Sequence, residues 1–300
     1  MSERFYSTIA GVAVLCLLVG SGVYIDYRGI EVPEPIETIP VRVFKAPTLE
    51  GKAVLVYDFK EDVVLFSKEP YAQLPLASLT KLMTAAVTLE KIPEGASIPI
   101  SAEDLELEGD VGLALGKSYP RDTLLALMLT NSSNDSARAL ATAAITYADP
   151  NTLVVEHDFY ESLRKKVAEL GLQETYFLNE TGLDESISTA GAYGSAYDVA
   201  MILGYLSAHA PQILEATTEP TLFFEGKEIK NTNPSVAAMS GLVASKTGFT
   251  DLAGGNLAVL LEVAPMHPIA IVVLGSSEEG RFTDVTSLTQ SVRAYFAPIE

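Results

Sequence analysis

Three short groups of residues in this chain have the types and spacing needed for acyl transfer. The first is Ser78-Leu79-Thr80-Lys81, in which a hydroxyl and an amine stand three residues apart. On a helix that spacing puts both groups on one side, one turn apart. A lysine whose pKa falls on desolvation can take the serine proton. A helix N-terminus also favours the negative charge that develops on the oxygen. The second group, Ser132-Ser133-Asn134, is a polar break between two apolar segments, and the third, Lys246-Thr247-Gly248, ends a β-rich run and leads into Phe249-Thr250. Acyl transfer requires a nucleophile, a base, a proton relay to the leaving amine and donors for the oxyanion. Ser78 and Lys81 supply the first two. Ser132 can relay the proton, and the Asn134 amide can hold a substrate backbone. Lys246 adds positive charge that helps to keep Lys81 neutral, and with Thr247 it can anchor a substrate carboxylate. Gly248 lets substrate lie against the strand edge, and the N–H groups of Ser78 and Phe249 are candidates for the oxyanion hole.

Taken singly, each group has a plain structural explanation. Serine commonly caps helices, Ser and Asn dominate turns, and a glycine after a strand is ordinary turn chemistry. Ser162-Leu163-Arg164-Lys165 repeats the first spacing inside a charged, surface-like helix. The case for Ser78 rests on all three groups standing in order, each in a suitable structural setting.

The elements that must position them can be read from the pattern. Pro75 precedes Ser78, and Leu79, Met83, Ala86 and Leu89 follow at helical spacing, so Ser78 falls at the N-terminus of a buried helix. Ala53–Asp58 and Val63–Ser67 around Lys60-Glu61-Asp62 read as a β-hairpin. Thr123–Leu129, Asp135–Tyr147 and Asp158–Leu170 read as helices, and Asn179–Asp184 as a loop. Ser195 to Asp198 has the form of a capping box for a helix running to about Ser207. Gly241–Lys246, Asn256–Val263 and Ile269–Leu274 read as strands and Thr283–Phe296 as a final helix. Strands open and close the chain around a helical middle. The expected fold is therefore α/β of the α+β type, a largely antiparallel sheet with the terminal helix on one face and the helical block on the other.

Residues 1–7 form a short tail, and Thr8–Ile25 is apolar without a charge, at the short end for a membrane span. An uncleaved anchor is the favoured reading, with a cleaved signal peptide as the alternative. Residues 26–45, carrying Pro33, Pro35 and Pro40, read as an extended stalk with an edge strand around Val41–Phe44. A single catalytic domain is expected over residues 46–300. The formal net charge of −19 argues against nucleic acid as a partner. Cys16 is the only cysteine, so the folded part has no internal disulfide, and no Cys/His cluster has metal-ligand spacing. The histidines His157, His209 and His267 are scattered, which counts against a Ser-His-Asp hydrolase.

The three groups together resemble those of the penicillin-binding protein and serine β-lactamase superfamily. The resemblance is closer to the low-molecular-weight serine-type D-alanyl-D-alanine carboxypeptidases. It is carried by Ala77–Ala85, by Asn179 with Gly182-Leu183-Asp184, and by Lys246–Thr250 with Ala253-Gly254, and it extends over about residues 50 to 296. It implies a β-lactamase/transpeptidase-like fold with an all-helical subdomain and no cofactor. The implied substrate is a peptidoglycan stem peptide ending in D-Ala-D-Ala, cleaved through an acyl-enzyme on Ser78, with β-lactam antibiotics as inhibitors. The resemblance also places the substrate outside the bacterial cytoplasmic membrane, so with the apolar run 8–25 as anchor the catalytic domain is expected on that side. Ser133 stands where these carboxypeptidases often have glycine. The C-terminal β-domain and amphipathic anchor of many members have no counterpart here, so the N-terminal segment is expected to serve as anchor.

Two other readings compete. A class A β-lactamase needs a loop glutamate followed four residues later by asparagine, whereas Glu174 and Asn179 are five apart. A membrane-anchored wall-binding protein without turnover would not require all three groups intact. The nucleophile assignment is tested with a fluorescent penicillin: Ser78→Ala should abolish covalent labelling, and Ser162→Ala should label as wild type does. Labelling of the Ser78 variant at the normal rate would refute it.

Overall fold

The computed structural model describes residues 42–109, 111–148 and 156–298. The tail, the apolar run 8–25 and most of the stalk lie outside the described residues, among which no helix is long and apolar enough to cross a membrane. Residues 42–50 form no regular strand. Phe44 instead stacks on Phe66, with ring centroids 5.8 Å apart, and lies 6.0 Å from the Tyr295 ring. Side-chain docking replaces the expected ladder pairing there.

The sheet is built from β1 (Ala53–Asp58), β2 (Val63–Lys68), β3 (Leu242–Thr250), β4 (Gly254–Glu262) and β5 (Pro268–Ser276). Their spatial order is β3-β4-β5-β1-β2, and all neighbours are antiparallel. The early hairpin and the late strands join where β1 pairs with β5, Ala53 opposite Leu274 and Asp58 opposite Ile269. β1 is apolar almost throughout because both faces are covered. Alternate residues serve separate cores, as the two-residue period of a strand requires. Leu55, Leu260, Val272 and Leu274 face the larger core with the helical block. Val54, Val56, Val259, Ile271 and Val273 face a smaller one, closed by Val285, Leu288 and Val292 of the terminal helix.

The helical block comprises α1 (Thr80–Lys91), α2 (Arg121–Thr130), α3 (Asn134–Ala148), α4 (Glu156–Glu169) and α5 (Ala196–His209), and α6 (Gly280–Phe296) is the terminal helix. α1 lies in its centre, with every residue from Thr80 to Thr88 buried. Ser195 caps α5 by accepting the Asp198 N–H at 3.0 Å. The expected reciprocal bond is missing, since the Asp198 carboxylate accepts instead from Glu174 N and Thr175 Oγ1. That carboxylate thereby ties the helix start to a small sheet formed by Leu74–Pro75, Ala192–Gly194 and Tyr176–Phe177. A hairpin, Thr221–Phe224 with Lys227–Lys230, was not expected from the pattern. Its signal, a Glu225-Gly226 turn between short β-rich runs, is present in the sequence, with both residues at positive φ.

Candidate active site

The chain reaches α1 through a tight turn. Ala77 has φ 47°, a left-handed conformation that costs a non-glycine residue about 1–3 kcal/mol and requires support. Three carbonyls in succession are gripped by side chains. Asn256 of β4 donates to Pro75 O at 2.9 Å and Leu76 O at 3.0 Å, and Thr80 Oγ1 donates to Ala77 O at 2.7 Å. Gly182 packs so closely that a Cβ there would stand 1.9 Å from Ala77 O. The next residue, Ser78, lies in a 3-10 turn that opens directly into α1.

Lys81 is wholly buried one turn further on. Its Nζ lies 2.9 Å from Ser78 Oγ, 2.7 Å from Asn134 Oδ1 and 2.7 Å from Thr181 O. Asn134 opens α3, and its Nδ2 donates to Glu108 O at 2.6 Å, which fixes which amide atom faces the lysine. On the other side of the site, Lys246 donates to Ser132 Oγ at 2.9 Å and to Thr247 O at 2.8 Å. Ser132 sits at φ 67° in the turn between α2 and α3. Thr247 Oγ1 bonds Thr232 Oγ1 at 2.6 Å.

β3 is an edge strand, paired on one side by β4. A Cβ on Gly248 would meet Leu76 O at 2.9 Å and Ser78 N at 3.2 Å. Glycine is what lets the strand lie against the nucleophile turn. Arg281 of α6 donates to Gly248 O at 2.7 Å, and its guanidinium stacks over the half-exposed Phe249 ring at 5.6 Å. Thr250 Oγ1 donates to Asp184 at 2.9 Å, which ties the end of β3 to the loop carrying Gly182.

Burial lowers the Lys81 pKa to about 7, opposed by the negative charge of Glu180. Lys246 is driven well below the ordinary lysine value, first by burial and then by the charges of Lys81 and Arg281. Burial is the first cause at both amines, and the repulsion between the two ammonium groups, which is mutual, adds to it.

Thus Ser78, Lys81, Ser132, Asn134, Lys246, Thr247 and Gly248 converge on one cleft, with Phe249 at its rim. Sequence reasoning missed Asn256, Arg281 and Thr232. No signal in residue type marked Asn256, which heads an apolar strand run and proves fully buried. Ser162 lies instead on α4, where the nearby Lys165 is exposed and ion-paired with Glu169 at 3.8 Å.

A serine at a helix entrance, a buried amine against its hydroxyl and a strand edge beside them are the groups that active-serine acyl transfer requires, and they stand on a transpeptidase-like fold. Comparison with known proteins agrees. Penicillin-binding protein D2 of Listeria monocytogenes, solved with cefotaxime bound, superposes with a TM-score of 0.69 at 26% identity, covering 82% of this chain and 98% of that one. A D-alanyl-D-alanine carboxypeptidase from Mycobacterium tuberculosis shares the fold, with a TM-score of 0.73 at 23% identity over 83% of this chain and 93% of that one. A D-alanyl-D-alanine endopeptidase of Pseudomonas aeruginosa is 30% identical over 268 residues, 85% of this chain and 80% of its own. Residues 41–278 match the peptidase S11 family, D-alanyl-D-alanine carboxypeptidase, and the chain belongs to that family.

Lys81→Arg tests the base, because arginine keeps the charge but does not readily lose a proton. It should lower the penicillin acylation rate by at least about 10²-fold. In the wild type the neutral amine is the competent form, so acylation should rise with pH through about 7 and level off above it. A flat profile, or an arginine variant within a few-fold of wild type, would place the proton elsewhere.

Proposed function

We propose that this chain removes the terminal D-alanine of peptidoglycan stem peptides through an acyl-enzyme on Ser78. The observation that carries the reading is the environment of the Lys81 amine. A neutral lysine has two N–H donors and one lone pair. Asn134 Oδ1 and Thr181 O can take the two donors, leaving the lone pair directed at the Ser78 hydroxyl. As Ser78 Oγ bonds to the carbonyl carbon, its proton passes to Lys81 and the carbonyl electrons move onto oxygen. Collapse of that intermediate expels the D-alanine nitrogen, which takes a proton by way of Ser132. Water then attacks the ester in the reverse sense, releasing the shortened peptide and Ser78. The N–H groups of Ser78 and Phe249 are the proposed oxyanion donors, supported by the contact between Gly248 and the Ser78 turn.

Lys246 and Thr247 are the proposed carboxylate anchor, since charge-assisted hydrogen bonds to a carboxylate are the strong ones. A second reading, cleavage of cross-linked stem peptides, is favoured by the endopeptidase names of three relatives, from Pseudomonas aeruginosa, Haemophilus influenzae and Escherichia coli. The test uses matched peptides. A D-Ala-D-Ala acid should release D-alanine, and its C-terminal amide should be poorer by roughly 2–3 kcal/mol. Thr247→Val should narrow that gap. Equal rates on acid and amide would remove the anchor, and faster cleavage of a cross-linked dimer than of the pentapeptide would move the assignment to endopeptidase.

We further place the catalytic domain outside the cytoplasmic membrane, anchored by residues 8–25, on the strength of that uncharged apolar run. Full-length protein should stay with membranes through a high-salt wash, because buried apolar surface is not screened as ion pairs are. A chain beginning near Ala46 should be soluble and still acylated. Release of the full-length protein by salt would refute the anchor.

A further inference from the structure

A buried carboxylate that the reaction scheme does not use stands close to the reacting groups. Glu180 is 2% exposed and lies in the loop that closes over α1. Its own carbonyl accepts from Thr84 Oγ1 at 2.7 Å, and the next carbonyl, that of Thr181, accepts from Lys81 Nζ at 2.7 Å. Thr84 and Lys81 are one helical turn apart on α1, so two successive loop carbonyls are fastened to one face of that helix. The Glu180 carboxylate reaches the other way, to Arg138 Nε at 2.7 Å. Arg138 is four residues after Asn134 on α3, hence on the same side as the amide that holds Lys81. The lysine and the ion pair are therefore bracketed by the same three elements.

We infer that Glu180, held by Arg138, is a positioning residue for the base: it fixes the loop carbonyl that receives Lys81 and supplies the negative field in which that amine exchanges its proton. The inference rests on the assignment of Ser78 and Lys81 as nucleophile and base. Several other charged groups surround the amine. Lys246 approaches from β3, its own pKa lowered by burial, and the Arg281 guanidinium of α6 lies behind it. Asp135 is buried at the start of α3 beside Asn134. Asp184, further along the loop, is committed to Thr250 and to the Leu252 N–H. Glu108 contributes its carbonyl, through Asn134. Glu180 is the acidic group whose charge acts on Lys81, and it works against burial. Without it the amine loses its proton at lower pH.

The sign of this effect distinguishes it from simple structural support. The measurement is the rate of acylation by a fluorescent penicillin from about pH 5.5 to 9, with thermal melting of each protein alongside. Glu180→Gln removes the charge and keeps the shape, and its midpoint should fall by about one pH unit, the lower end of the effect of a nearby opposite charge. A larger fraction of the plateau rate is then retained at pH 6 than in wild type, whatever happens to the melting temperature. The paired Glu180→Gln/Arg138→Gln variant leaves no lone buried cation and guards against failure to fold, and its midpoint should also fall, by less. Glu180→Asp retains the charge and should titrate close to wild type. If the folded variants lose rate at every pH with the midpoint unmoved, Glu180 is structural and the inference is overturned. Wild-type protein that is not acylated at all would instead overturn the assignment of Ser78 and Lys81.

Discussion

The site depends on one constraint, the need to keep a lysine amine buried beside a serine. A cation taken out of water is penalised by several kcal/mol unless it is neutralised or fully partnered. Here both remedies operate. Burial moves the amine to about pH 7, and three oxygens from three different segments surround it. Ser78 comes from the turn before α1, Asn134 from the start of α3, and Thr181 from a loop a hundred residues beyond Lys81. The amine therefore sets the spacing of these segments, and displacement of any one would leave it with an unmet hydrogen bond.

The remaining contacts fix the surface against which that amine acts. Asn256 bonds to Pro75 O, Leu76 O and the Gly275 N–H, so one amide ties the nucleophile turn to the middle of the sheet. Gly182 and Gly248 are the two positions where a side chain would collide with that turn. On the far wall, Lys246 holds Ser132 and Thr247 holds Thr232, so the cleft is closed by hydrogen bonds between segments that also carry the reactive groups.

Much of this was legible in sequence because it depends on residue type and local period. The strands of the main sheet, the helix after Ser78 and the break at Ser132–Asn134 all show in the hydrophobic pattern. What was hidden depends on distance along the chain. Thr181 and Glu108 act through backbone carbonyls, which leave no mark in residue type. Asn256 and Arg281 look like an ordinary strand residue and an ordinary helix residue until the turn and Gly248 are brought to them. The Asp198 carboxylate fits a capping box by spacing, yet the Glu174 N–H and Thr175 Oγ1, just before a short strand, capture it. The edge strand expected around Val41–Phe44 is the opposite error: Val41 lies outside the described residues, residues 42–44 form no strand, and Phe44 stacks on an aromatic ring instead.

Among the described residues, β3 leaves one edge without a partner strand. An open edge ordinarily invites association with another sheet, because its backbone groups accept any strand. Here the approach is narrowed on one side by the Ser78 turn against Gly248 and on the other by Ser132 and Thr232. Side chains also occupy part of the edge itself, since the Ser245 N–H donates to Thr217 Oγ1 and Thr247 O accepts from Lys246 Nζ. The formal charge of −19 further keeps copies of the protein apart. The edge that another sheet could extend is therefore hemmed in by the turn that carries Ser78 and by the side chains of the far wall.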